Sequence, residues 1–231
     1  MLPRILETEV MGTREEALDY DAMDHSQVNR IFVDDFLSAL QTAGLGAEDL
    51  GNRSEQLTVL DVGTGTAQIP IEFSRRSISC KITAIDFSAE MLKVAARNVA
   101  EAGLEQNITL EKIDAKTVPY QNASFAAVIS NSIVHHIPKP VHALREMIRV
   151  LSPGGVLFVR DLLRPHDRKT LDQLVATYAG DANQHQQQMF RDSLNAALTL
   201  SEIRQLLNEL DKPVEWVVQT TDRHWTVNGC L

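Results

Sequence analysis

Two short stretches combine residue types and spacing that suit ligand chemistry. The first is Asp61-Val62-Gly63-Thr64-Gly65-Thr66. Gly63 and Gly65 have no Cβ, so the backbone there can turn tightly and approach a ligand closely. A helix starting just beyond such a turn offers its free N–H groups to the same ligand. No Gly-Lys-Ser or Gly-Lys-Thr follows, so the turn is not a phosphate-gripping P-loop. The third glycine of the dinucleotide fingerprint is replaced by Gln68. The second stretch ends at Asp86, 21 positions after Gly65. A carboxylate closing a second strand at that distance reaches the crevice above the turn. There it can accept hydrogen bonds from both hydroxyls of a ribose.

A second group of candidates lies further along. His135 and His136 follow a fourth apolar run, and Asp161 ends a fifth. Histidine titrates near neutral pH, so either one could serve as a general base. Equally, they could orient a loop or face solvent. Asp161 could face a ligand or form a salt bridge. The spacing of His135, His136 and His142 makes no metal site, and no metal is expected. Cys80 and Cys230 make no metal or redox motif, which suits free thiols and a cytoplasmic location.

These residues need a frame that brings strand ends together. Leu57–Val62, Lys81–Asp86, Ile108–Ile113, Phe125–Ser130 and Gly155–Arg160 are short apolar runs of the kind that form buried strands. Helical segments separate most of them: 67–76, 89–101 and 141–151. This alternation predicts an α/β fold with a doubly wound, mostly parallel, Rossmann-like sheet. Three further helices are expected at 167–179, 184–197 and 200–210. Two closing strand-like runs, 214–219 and 224–228, predict a C-terminal antiparallel hairpin and bring the sheet to seven strands. Before the first strand, Val28, Ile31, Phe32, Phe36, Leu37 and Leu40 recur at helical spacing and predict an amphipathic N-terminal helix.

Composition narrows the function. The chain has 231 residues, with 22 Lys and Arg against 31 Asp and Glu, a net charge of −9. An acidic chain gains nothing from counterion release on nucleic acid and is not drawn to anionic lipid. No nucleic-acid partner and no membrane association are expected. No apolar run reaches the length of a membrane span, and the first ten residues lack the apolar core of a signal peptide.

With these motifs in place, the chain resembles the class I S-adenosylmethionine-dependent methyltransferases. Asp61 to Thr66 resembles their first motif, and Ala84-Ile85-Asp86-Phe87-Ser88 their acidic second one. Asp114-Ala115, Ser124 to Asn131, and Arg149-Val150-Leu151-Ser152-Pro153-Gly154-Gly155 match three further stretches in order. The small-molecule type, similar to the menaquinone and ubiquinone C-methyltransferases, is the variant most resembled. The resemblance implies a single methyltransferase domain over 1–231. It would comprise a helical cap at 1–55 that forms an N-terminal helical lid, a cofactor-binding core at 56–161, and helices with the hairpin at 162–231.

It also implies S-adenosylmethionine as cofactor, S-adenosylhomocysteine as product, and a small organic acceptor. Asp61 would help hold the ammonium of the cofactor's amino-acid tail, with Gly63, Gly65 and Thr66 lining that tail. Asp86 would take the ribose hydroxyls, and Phe87 and Met91 would pack on the adenine. Asp114, beside Ala115, would accept the adenine amino group. Asn131 and Ser132 would border the methionine moiety, and Tyr20 or Asn29 on the lid could touch the tail. A base is needed only if the acceptor must lose a proton; His135, His136 and Asp161 are the candidates. Two rivals share the glycine turn: a non-catalytic protein that binds the same cofactor, and an NAD(P)-dependent oxidoreductase. Monomer and homodimer are both open.

Overall fold

The computed structural model describes residues 2–7, 12–46, 56–76 and 79–231. Residues 1, 8–11 and 47–55 of the expected cap, and 77–78, lie outside the described residues. The chain order is α1 (Arg14–Asp21), α2 (Ser26–Thr42), β1 (Leu57–Val62), α3 (Gln68–Ser74), β2 (Cys80–Asp86), α4 (Ala89–Glu101), β3 (Ile108–Lys112) and β4 (Phe125–Asn131). A 3-10 turn (Val134–His136) follows, then α5 (Pro140–Val150), β5 (Leu151–Leu162), α6 (Arg168–Ala179), α7 (Gln184–Ala196), α8 (Leu200–Glu209), β6 (Val217–Gln219) and β7 (His224–Cys230). The seven strands are hydrogen-bonded in the order β3-β2-β1-β4-β5-β7-β6. β1 pairs in parallel with β2 on one side and β4 on the other, and β2 with β3. β6 and β7 are antiparallel, as the closing hairpin requires.

The described residues form two compact units. One comprises those within Val10–Asn131, His142–Val159 and Asn228–Leu231. Its core is built from β1, β2 and β4 with Phe32, Phe36, Phe73 and Phe158. Phe32, Val33, Phe36, Ala39 and Leu40 are buried on one face of α2, the stripe that its 3.6-residue period predicts. Phe32 and Phe158 meet edge-to-face at 5.1 Å, and Phe36 and Phe73 are also 5.1 Å apart. Each such buried ring contributes roughly 1.5–3 kcal/mol. β1 is where the strand order reverses, with β2 before it and β4 after it. In such sheets the crevice at that reversal, beyond the carboxyl ends of the strands, is the binding place.

The other unit comprises the described residues within Met1–Glu9, Ser132–Val141 and Arg160–Val227. Leu162, Leu171, Leu174, Val175, Leu194 and Ala197 form its core. Thr199 and Glu202 close a capping box on α8, so Thr199 is the N-cap and the helix starts at Leu200, where it is expected.

β5, β6 and α3 differ from their sequence expectation for reasons that the backbone shows. β5 begins at Leu151, because Gly154 N–H donates to Leu231 O and Leu231 N–H to Gly155 O, extending the ladder through the Ser-Pro-Gly-Gly stretch. Val214–Trp216 winds into a 3-10 turn after Pro213, leaving three residues for β6. α3 starts one residue late, because Ala67 is left-handed at φ 63°.

Candidate functional site

The glycine turn takes its shape from three left-handed residues in five positions. Gly63, Gly65 and Ala67 have φ of 76°, 57° and 63°. The turn is stitched to the end of β2. Gly63 and Thr64 both donate to Ile85 O at 2.9 Å. Gly65 N–H donates to Asp86 Oδ2 at 2.8 Å. The other oxygen, Oδ1, accepts Ser88 N–H at 2.8 Å, and Ser88 in turn caps α4 through Met91 N–H. A carboxylate offers about four acceptor positions, so Asp86 keeps capacity for a further donor. Burial raises its pKa, against the pull of the Ser88, Gly65 and Phe87 backbone groups.

Asp61 pairs in register with Ala84 on one side and Ile129 on the other. It is 2% exposed. Desolvation pushes its carboxyl up to about 7. Its Oδ2 and the hydroxyls of Thr64 and Thr66 are buried without a hydrogen-bond partner. Unpaired buried polar atoms are costly and mark a place that a polar ligand can complete.

The N-terminal helices are fastened to this turn by a polar network. Asp21, at the end of α1, accepts Arg97 at 2.7 Å, Asn98 at 2.8 Å and Gln68 at 3.3 Å. Asn98 also donates to Thr66 O at 3.1 Å. Gln68 Oε1 accepts the Asn29 amide at 3.0 Å. Gln68, which departs from the dinucleotide fingerprint, is therefore a tie between the turn and both lid helices. Asn29 is committed to that tie. Tyr20 stands directly over the turn: a Cβ on Gly65 would meet its Cε1 at 3.7 Å. Burial, then Asp86, Asp61 and Asp21, push the Tyr20 hydroxyl up to about 12, so it stays protonated.

Beyond Asp86, the Phe87 ring is 49% exposed, with the Lys116 ammonium 5.6 Å from its centre. Lys116 pairs with Asp114 at 3.1 Å and donates its backbone N–H to the same carboxylate at 2.9 Å. Ala115 is half-buried between them in sequence. Met91 is buried in a small cluster with Ala17 and Val94, against which Tyr20 packs. Asn131 ends β4 half-buried. Ser132, in the other unit, is left-handed at φ 58° and donates its N–H to Arg160 O.

The second set of candidates lies wholly in that other unit. Asp161 is fully buried and organises the 3-10 turn. Its Oδ2 accepts the N–H groups of Val134 at 2.5 Å and His135 at 3.2 Å. Its Oδ1 lies 2.5 Å from His135 Nδ1 and also accepts Leu162 N–H. Burial would lower the His135 pKa, but Asp161 and Glu7 outweigh it and the net shift is upward. Asp161 shows the converse: burial raises it, and His135 with Leu162 N–H pulls it below the usual range.

Two participants have no sequence signal. Glu7 Oε1 lies 3.1 Å from His136 Nδ1 and 3.4 Å from His135 Nε2. Arg4 donates to the carbonyls of Ala196, His135 and Ile137 at 2.7, 3.1 and 3.1 Å. They are more than 120 positions from the histidines. No local pattern announces a contact closed by a terminal segment.

Comparisons with known proteins bear on the family. The model of a family described as "Methyltransferase domain" matches residues 53–215. A demethylmenaquinone methyltransferase of Porphyromonas gingivalis is 36% identical over 109 residues, 47% of this chain and 44% of that protein. The ubiquinone/menaquinone biosynthesis C-methyltransferase UbiE of Bdellovibrio bacteriovorus is 39% identical over 101 residues, 44% of this chain and 42% of that protein. The match thus spans less than half the length of either relative. The crystal structure of a SAM-dependent methyltransferase from Aquifex aeolicus covers 94% of this chain and 98% of its own, with a TM-score of 0.65 and 20% identity. That likeness is one of fold.

Proposed function

Since the chain belongs to the methyltransferase family that its residues 53–215 match, we propose that it transfers a methyl group from S-adenosylmethionine to a small organic acceptor. The observation that carries this reading is the pairing of Asp86, bonded to Gly65 and still able to accept a further donor, with the buried oxygens of Asp61, Thr64 and Thr66 that lack a hydrogen-bond partner. One carboxylate suits a ribose diol, and the orphaned cluster suits an ammonium and carboxylate tail. The family does not favour the oxidoreductase reading.

S-Adenosylmethionine supplies a methyl group on a sulfonium, which departs as a neutral thioether. The protein's part is binding, alignment and exclusion of water. Asp61 receives the tail ammonium, and a nearby cation lowers its pKa so that it becomes a carboxylate. Gly63, Gly65 and Thr66 line the tail, with Asn131 beside the methionine portion. Asp86 accepts the ribose hydroxyls. The exposed Phe87 ring covers one face of the adenine, with Met91 behind it, and Asp114 with Ala115 meets the adenine edge. Tyr20 closes over the turn as a hydrogen-bond donor. Asn29 acts indirectly, by holding Gln68.

If the acceptor must lose a proton, His135 and His136 are the groups to receive it. Asp161 fixes the His135 tautomer and steadies its imidazolium. No helix of the described residues is long and apolar enough to cross a membrane. A cytoplasmic setting and an acceptor that is neither nucleic acid nor membrane complete the proposal.

Calorimetric titration with S-adenosylmethionine, S-adenosylhomocysteine and NADH, beside an Asp86→Ala variant, tests the reading. Micromolar binding of the two sulfur compounds, lost in the variant, is expected. Binding of NADH alone, or of none of the three, overturns it.

A further inference from the structure

We propose that Glu7, His135 and His136 form a binding site for a divalent transition-metal ion, with Zn2+ the best fit to this donor set. The inference does not rest on the methyl-transfer reading, and it is an alternative to the general-base role of His135, whose Nε2 the ion would occupy. It rests on three donor atoms that converge. Glu7 Oε1 is 3.1 Å from His136 Nδ1 and 3.4 Å from His135 Nε2, and one ligand atom from each of the three residues lies within 4.8 Å of the others. With Zn–N and Zn–O bonds near 2.0–2.2 Å, tetrahedral neighbours stand about 3.3 Å apart. The two measured separations match that spacing.

The donors are also aimed correctly. Asp161 Oδ1 engages His135 Nδ1 at 2.5 Å, which leaves Nε2 to face Glu7. A carboxylate on the far nitrogen of a ligating histidine is the usual outer partner of a zinc site, because it fixes the tautomer and makes the ligand more basic. Ser193 Oγ reaches the other oxygen of Glu7, Oε2, at 3.4 Å. Oε1 is buried and accepts no hydrogen bond.

The competing account is an ion-pair network around a protonated His135. Such a network should aim an Nε2–H at Oε1 as a hydrogen bond, and the 3.4 Å approach is not one. A cation between the donors would complete Oε1 directly. Arg4 points its guanidinium at three carbonyls and not at Glu7, so it anchors the segment that carries Glu7 without neutralising it. Imidazole with a single carboxylate suits zinc better than magnesium or calcium, which prefer oxygen ligands throughout. Three protein ligands leave a fourth position for water or an oxygen donor such as a hydroxyl, the arrangement of a reactive rather than a closed structural site.

Protein stripped with a chelator and dialysed should be titrated with Zn2+ against a chromophoric competitor, and separately with Co2+ followed by visible absorption. One equivalent of Zn2+ should bind. Affinity should fall at least about tenfold in Glu7→Gln and in His136→Ala, and about 10–100-fold in Asp161→Asn. The exposed His166→Ala should bind as the parent does. Glu7→Gln preserves shape and decides the matter if Asp161→Asn fails to fold. Absence of a saturable equivalent overturns the site. So does binding that is equal in the parent, Glu7→Gln and His136→Ala.

Discussion

Gly65 gives its backbone N–H to the carboxylate of Asp86 at 2.8 Å, across 21 residues of chain. The acid at the end of β2 and the turn at the end of β1 are therefore one assembly. The left-handed Gly65 aims its N–H at Asp86, and Asp86 holds the turn open in the shape that a ligand would meet. Ser88 extends the assembly into α4 by donating to the same carboxylate and capping the helix.

Replacing Asp86 by Asn keeps the volume but puts an amide where an anion accepts backbone donors. Hydrogen bonds to charged groups are worth about 1.5–3 kcal/mol each. Loss of one should weaken S-adenosylmethionine binding by about 10–150-fold. Calorimetry reads this directly, and unchanged affinity would remove Asp86 from the ribose contact.

Asp61 makes an opposite prediction for stability. Its folded pKa, about 7, lies above its ordinary 3.8. Between those values the native state holds a proton that the unfolded chain has released, so its contribution falls as pH rises through that window. In ligand-free protein, Asp61→Asn should therefore melt higher than the parent at pH 8, by at least about 2 °C, and show little difference at pH 4. The same variant should bind S-adenosylmethionine poorly. A melting difference that is constant from pH 4 to 8 would contradict the burial argument.

Asp21 holds the lid through Arg97, Asn98 and Gln68. Asp21→Ala should leave the strands intact while freeing α1. Cofactor dissociation, followed by stopped-flow displacement, should accelerate by about tenfold, equivalent to ~1.4 kcal/mol. Limited proteolysis should cut α1 earlier in the variant. A normal off-rate with normal protease resistance would mean that the network is ornamental.

Gly65→Ala tests the backbone itself. A left-handed non-glycine residue costs about 1–2 kcal/mol, and the new Cβ would sit 3.7 Å from Tyr20, an ordinary contact. The unfolding free energy should drop by that amount, read as a lower denaturant midpoint without a change in slope. Gly65→Asn, which tolerates the left-handed region better, should recover part of the loss.

Much of this protein was legible in its residues. Apolar runs alternating with helical segments were enough for the parallel sheet, because strand and helix periods are local properties. Gly63, Gly65 and Asp86 stood out because the spacing of a β-α-β unit is itself a local length. Gln68 could be read only as a departure from a fingerprint. Its bonds to Asn29 and Asp21 appear once α1 and α2 are folded against the turn.

Sequence alone determined the order of elements, the glycine turn and the acid that faces it, because each depends on residues joined by one strand or one turn. Tertiary structure decided what was buried and what was brought together from afar. Asp61 acquires its raised pKa from desolvation between β2 and β4, which no neighbour in sequence supplies. Glu7 meets His135 and His136 because Arg4 anchors the first residues to three backbone carbonyls. Hydrogen-bond geometry and exclusion of water depend on distances in space, and the spacing of residues along a chain does not encode them.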